Sequence, residues 1–150
     1  MTASRALLAI IAIAAVAGCR PSAKPARSPR PPEAVEATSS ARAISGKAVY
    51  EMRCAACHQV SGQGVPGAFP PIAGAEVPNG PPEEHIRIVL DGQSGPTEVL
   101  GKRYSGTMPG FKRVLSAEEI AAVVSYERTA FGNKGEAVSA ADVERVAGGK

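Results

Sequence analysis

Apolar residues run without interruption from Ala6 to Val16, directly after Arg5. That stretch is too short to cross a bilayer, which takes about 20 residues. It fits the apolar region of a secretory signal peptide. From residue 20 to residue 43 the apolar rhythm vanishes, and Pro21, Pro25, Pro29, Pro31 and Pro32 stand among Ser, Ala and Arg. Such a composition cannot bury enough apolar surface to fold, and it predicts a disordered or polyproline-like linker. Fully extended, the linker would reach about 75 Å, at roughly 3.1 Å per residue.

Helical periodicity begins after residue 43. Ser45 to Cys54 predict a first helix capped by Ser45, with Gly46 and Tyr50 as neighbours on one side. A second helix is predicted over Pro82 to Leu90. Pro82 suits its first turn, Glu83 and Glu84 sit near the positive end of its dipole, and Asp91-Gly92 ends it. Its apolar side is Ile86, Val89 and Leu90. The third helix opens on the capping box Ser116-Ala117-Glu118-Glu119 and carries a stripe of Ile120, Val123, Val124 and Phe131 before Gly132-Asn133 stops it. This helix should dock on the first, with Tyr126 against Tyr50 and Gly46, whose missing Cβ permits close approach.

The segments between the helices, Gln59 to Pro82 and Gly92 to Leu115, are dense in Gly and Pro and read as loops. No stretch alternates as a strand does, so the predicted class is all-α, with three main helices and long loops. Ser139 to Val146, opened by Ser139 and Asp142, predicts a short terminal helix that could not stand alone. The chain thus divides into a signal peptide (1–18), a linker (19–43), a folded domain (44–133) and a C-terminal extension (134–150).

Composition adds a problem that this domain must solve. Three Phe, three Tyr and no Trp make a weak core for 150 residues. A bound prosthetic group would supply the missing apolar surface. The formal charge of +3 does not signal nucleic-acid binding, because the excess sits before residue 44 and the folded domain is slightly acidic.

The prosthetic group is written in Cys54-Ala55-Ala56-Cys57-His58. Two thiols one helical turn apart face the same way, and each can add to a vinyl group on one edge of a porphyrin. His58 follows directly, so its imidazole can ligate the iron. The spacing is that of a c-type haem attachment. A thioredoxin-like pair would need a βαβ setting, and a zinc site would need a second Cys/His pair; neither is visible. Gly62-Gln63-Gly64-Val65-Pro66-Gly67 matches a dinucleotide fingerprint in form only, since no strand precedes it and no helix follows. Its glycines suit a chain wrapping the haem edge.

The iron then needs a second axial ligand. Met52 lies too close to Cys54 on the attachment helix to reach the far side. Met108, in Thr107-Met108-Pro109-Gly110-Phe111, is favoured, because Pro109 stiffens the turn that presents the thioether. His85, between Glu84 and Ile86, reads as a surface histidine.

With these residues in view, segment 44–133 resembles a class I cytochrome c. The runs CAACHQVSGQGVPGAFPPIAG and GKRYSGTMPGF make it similar to the domains attached to copper nitrite reductases, quinoprotein dehydrogenases and haem–copper oxidases. The resemblance implies an all-α fold around one haem c, attached at Cys54 and Cys57, with His58 and Met108 axial. It also implies that the carbonyl of Pro70 or Pro71 accepts the proximal imidazole N–H. Glu127 departs from it, standing directly after Tyr126 where the family usually has an apolar residue.

Val16-Ala17-Gly18-Cys19 resembles a bacterial lipoprotein signal, which implies cleavage before Cys19 and diacylglycerol on its sulfur. The alternative is an ordinary secretory signal with an incidental cysteine. Arg20 is not the Asp of an inner-membrane retention signal, which leans towards the outer membrane.

His/Met ligation raises the reduction potential and closes the iron to substrate. The expected role is a membrane-tethered, non-catalytic carrier that moves single electrons between redox partner proteins on the periplasmic side. The alternatives are a haem subunit of a larger oxidoreductase, or a gas sensor that releases Met108. Lys102, Arg103, Lys112 and Arg113 either steer an acidic partner or are simply solvated.

Overall fold

A computed structural model describes residues 44–149. The predicted signal peptide, the linker and Cys19 lie outside the described residues. Helix α1 (Gly46–Arg53) is capped by Ser45, whose hydroxyl accepts from Ala48 N. Cys54 ends it and begins the single turn α2 (Ala55–His58). A second single turn, α3 (Glu76–Asn79), precedes α4 (Pro82–Asp91). Helix α5 (Ala117–Thr129) opens on the predicted capping box, with Ser116 and Glu119 exchanging side-chain and backbone hydrogen bonds. Helix α6 (Ala140–Ala147) repeats the device with Ser139 and Asp142.

Helices α1 and α5 cross where the sequence places them. A Cβ on Gly46 would stand 2.0 Å from the Ala122 carbonyl oxygen, so only glycine allows this approach. Beside the crossing, Tyr50, Tyr126 and Phe131 form a triangle of rings with centroids 5.1–5.5 Å apart. Phe131 does not belong to the α5 stripe. The helix stops at Thr129, and the Phe131 backbone, at φ 56°, folds its ring back onto the other two. The buried core joins Tyr50, Ile86, Val89, Ile120, Val123 and Val124 to Val143 and Val146 of α6. The C-terminal extension is therefore part of the packed unit.

The expectation of no strands is corrected. Gly92–Gln93 (β1) pairs antiparallel with Met108–Pro109 (β4), and Thr97–Val99 (β2) pairs with Lys102–Tyr104 (β3). Strands of two or three residues are too short for alternation to show. The β1–β4 pair matters most, because it sets Met108 opposite Gln93 at the end of α4.

Loops are joined by a buried asparagine. Asn133 Oδ1 accepts from Gly74 N and Asn79 Nδ2, while its Nδ2 donates to the carbonyls of Ile72 and Glu127. Every polar position of this side chain is used, so it ties the 72–79 segment to the end of α5.

Candidate functional site

Cys54 and Cys57 lie one turn apart, and the amides of Cys57 and His58 both donate to the Cys54 carbonyl. Cys54 is buried and Cys57 half-buried, and neither is in a disulfide. Burial, followed by the nearby Glu127 carboxylate, pushes the Cys54 thiol well above its ordinary range. His58 is buried, and its Nδ1 lies 2.9 Å from the Pro70 carbonyl oxygen. A carbonyl can only accept, so Nδ1 carries the hydrogen and Nε2 keeps the lone pair a metal needs. The contact is made by Pro70 and not by Pro71.

The loop after His58 returns on itself to bring Pro70 there. Gly64 N donates to the His58 carbonyl, and a Cβ at Gly64 would meet the carbonyl oxygens of Phe69 and Pro70 at 2.3 and 2.5 Å. The Met108 loop is fastened from two sides. Phe111 N and Lys112 N donate to the carbonyls of Val89 and Leu90, and Gly106 N donates to Ala68 O across the mouth. Gly92, at φ 80°, lets β1 approach β4, since a side chain there would strike the Met108 carbonyl at 2.5 Å.

Between these loops lies a cleft of two adjoining chambers. His58, Pro70, Gln93 and Met108 line both, and Cys54 and Cys57 line the first. A flat macrocycle fits this donor set. It has two thiols on one edge, an imidazole with a free Nε2, a thioether in the shared wall, and otherwise mostly apolar lining. No cluster of three or more His, Cys, Asp or Glu that could hold a bare ion exists among the described residues. Met52 is 72% exposed and stands away from the cleft.

The chain matches the family model described as cytochrome c over residues 43–130. It belongs to the cytochrome c family. As such it carries haem c bound covalently through cysteines, and Cys54 and Cys57 stand at the attachment spacing. The matched segment is an electron-transfer domain. It is 48% identical over 85 residues to cytochrome c-552 of Thermus thermophilus, covering 54% of this chain and 64% of that protein. It is 35% identical over 112 residues to the cytochrome c subunit of a quinone alcohol dehydrogenase of Gluconacetobacter polyoxogenes, covering 73% of this chain and 24% of the subunit. The gluconate 2-dehydrogenase cytochrome c subunit of Pantoea cypripedii is 38% identical over 104 residues, covering 66% and 23%. The chain thus spans under two thirds of the cytochrome c-552 length and about a quarter of either dehydrogenase subunit.

His85 is the main correction to the sequence reading. It is not on the surface: only 4% of it is exposed, and its Nε2 lies 2.8 Å from Glu127 Oε2. Glu127, 2% exposed, is the partner, and the pair joins α4 to α5. Both residues line the second chamber. A signal for this was present. His85 is four residues before Val89, and Glu127 is four after Val123, so both continue the buried stripes. The four basic candidates Lys102, Arg103, Lys112 and Arg113 are exposed, and none of them forms an ion pair among the described residues.

Proposed function

We propose that this cytochrome c is a lipid-anchored, extracytoplasmic mono-haem carrier that passes single electrons between redox proteins, with His58 and Met108 as the two axial ligands. The observation that carries the reading is that both side chains line the same two chambers, beside both attachment cysteines. When bound, haem c supplies a one-electron couple of raised potential under His/Met ligation. The chain's own residues do the rest. Cys54 and Cys57 fix the group, and Pro70 holds the His58 ring in one tautomer. Pro109, Gly92 and Gly110 hold the Met108 backbone against α4. With haem bound, His58 and Met108 would both be engaged as ligands, which would leave no position open to substrate and would limit rearrangement between redox states. Contacts of this kind between partners are small and transient.

The address rests on the sequence. Cys19 after Val16-Ala17-Gly18 supports acylation, with the Pro-rich linker as a tether, and Arg20 leans towards the outer membrane. No described helix is long and apolar enough to cross a membrane. A second reading is a haem subunit of a larger dehydrogenase, favoured by relatives that are named as such subunits. Mass spectrometry of the detergent-extracted protein tests the anchor: one haem and acyl chains on an N-terminal Cys19 support it, and an unacylated N-terminus contradicts it. Pull-down under mild detergent separates the two roles. A monomer that exchanges electrons with several acceptors supports the carrier, and a stoichiometric catalytic chain supports the subunit.

A further inference from the structure

The buried pair His85–Glu127 is neither an attachment nor an axial position, yet it stands in the wall of the cleft. It joins α4 to α5 through one hydrogen bond of 2.8 Å, with both side chains at most 5% exposed. Glu127 also faces Cys54, the first attachment cysteine. His85 Nδ1 is buried and has no hydrogen-bond partner among the described residues. A buried polar atom left without a partner is costly in a folded protein and calls for an explanation.

Proton counting supplies one. The hydrogen bond between Nε2 and Oε2 needs one proton, and with that proton alone the pair carries a charge of −1. A second proton makes the pair neutral. That bond leaves two open positions, His85 Nδ1 and Glu127 Oε1; the imidazole nitrogen is the more basic and is the one found without a partner, so the second proton goes to Nδ1. A negative charge held in low dielectric beside the haem favours the ferric form, and neutralising it favours the ferrous form.

We infer that His85 and Glu127 form a redox-linked proton site of this cytochrome, with His85 Nδ1 as the atom that binds the proton. Over the pH range in which the two redox states differ in protonation, an electron accepted from a reducing partner is accompanied by up to one proton from solvent, which forms an N–H bond at Nδ1. When the electron passes to the acceptor, that bond breaks and the proton returns to solvent. The inference rests on the haem reading above.

Of the other ionisable groups around the pair, His58 lines the same chamber and gives its Nδ1–H to the Pro70 carbonyl. On α1, burial and then Glu127 push the Tyr50 hydroxyl far up, and it donates to the Gln59 carbonyl, so it stays protonated. The Cys54 sulfur is consumed by haem attachment. Tyr126 of α5 sits in the aromatic triangle. Arg128 turns to the carbonyls of Glu136 and Gly80. On α4, Glu83 binds Arg145 of α6, which also holds Asp142, and Glu84 is exposed. Glu76 of α3 accepts from Leu100 N. None of these is a second partner for Nδ1.

The test is spectroelectrochemical titration of the purified holoprotein from pH 5 to 9, with proton uptake on reduction measured in weak buffer. The imidazole is the side chain whose ordinary titration falls in this range. Wild type should show a midpoint potential that falls with rising pH over part of the range. The slope should reach at most about 59 mV per unit, the one-electron equivalent of a tenfold change. His85→Gln should be flat, stay at the wild-type high-pH value and take up no proton. Glu127→Gln should lie above wild type at high pH, with its step moved to lower pH, because the carboxylate no longer favours the protonated ring. A flat wild-type curve, or curves that the variants share with wild type, overturns the inference. If His85→Gln fails to hold haem, Glu127→Gln, which keeps an acceptor for Nε2–H, decides alone. Haem that remains covalently attached in a protein with a flat curve removes only this inference. A protein without attached haem removes the reading beneath it.

Discussion

A single buried pair shows how far one side chain's worth depends on its neighbour. Truncating His85 to Leu leaves the Glu127 carboxylate buried without its counterpart, which costs about 3–5 kcal/mol by the behaviour of broken buried pairs. Replacing both by leucine removes the charge with the partner, and such exchanges are often neutral or stabilising. Urea denaturation of the holoprotein should therefore rank His85→Leu least stable, with the double variant recovering most of the loss. Equal losses in both would mean that the pair is not coupled. The pair also marks the limit of what a sequence offers. The five residues from Cys54 to His58 are legible because their chemistry is contiguous. His85 and Glu127 are 42 residues apart, and each taken alone looks like a polar residue on a helix. Asn133 is hidden in the same way, since its partners lie up to 61 residues away.

At the level of elements, caps and periodicity were readable and pairings were not. The three main helices start where Ser45, Pro82 and Ser116 announce them, because capping is local chemistry. The strand β1 is defined only by its partner β4, and its function is to hold the Met108 backbone. Gly92→Ala puts a Cβ against the Met108 carbonyl at a left-handed backbone position. The variant should keep its covalent haem but bind carbon monoxide in the ferrous state, whereas wild type does not. A variant that still excludes the gas would show that β1 does not hold the loop. Helix α6 offers a pH handle. Its capping residue Asp142 is held down to about 2 by the Ser139 hydroxyl and amide and by Arg145, against an ordinary 3.8. A lowered carboxylate adds stability above its unfolded value and loses it as pH falls through the folded one. Thermal melts should show wild type losing this contribution between roughly pH 4 and 2. Asp142→Asn, which lacks the contribution at every pH, should converge on wild type at the acid end. Parallel curves would contradict the assignment.

Across the whole molecule, few aromatics and long loops make sense only around a large apolar guest. The helices form one side of the core, and the His58 and Met108 loops meet across the cleft at Gly67–Ala68 and Ser105–Gly106. The attachment motif sits on the helical turn before one loop and the thioether on the other loop, so the guest closes a fold that local sequence leaves open. Met108 is the residue on which the proposed ligation depends. The most direct measurement is the red-region absorption of the ferric holoprotein, where thioether sulfur bound to iron gives a weak charge-transfer band. Wild type should show the band, and Met108→Ala should lose it while keeping its covalent haem. A wild-type spectrum without the band, or a band that survives the substitution, would contradict the proposed ligation.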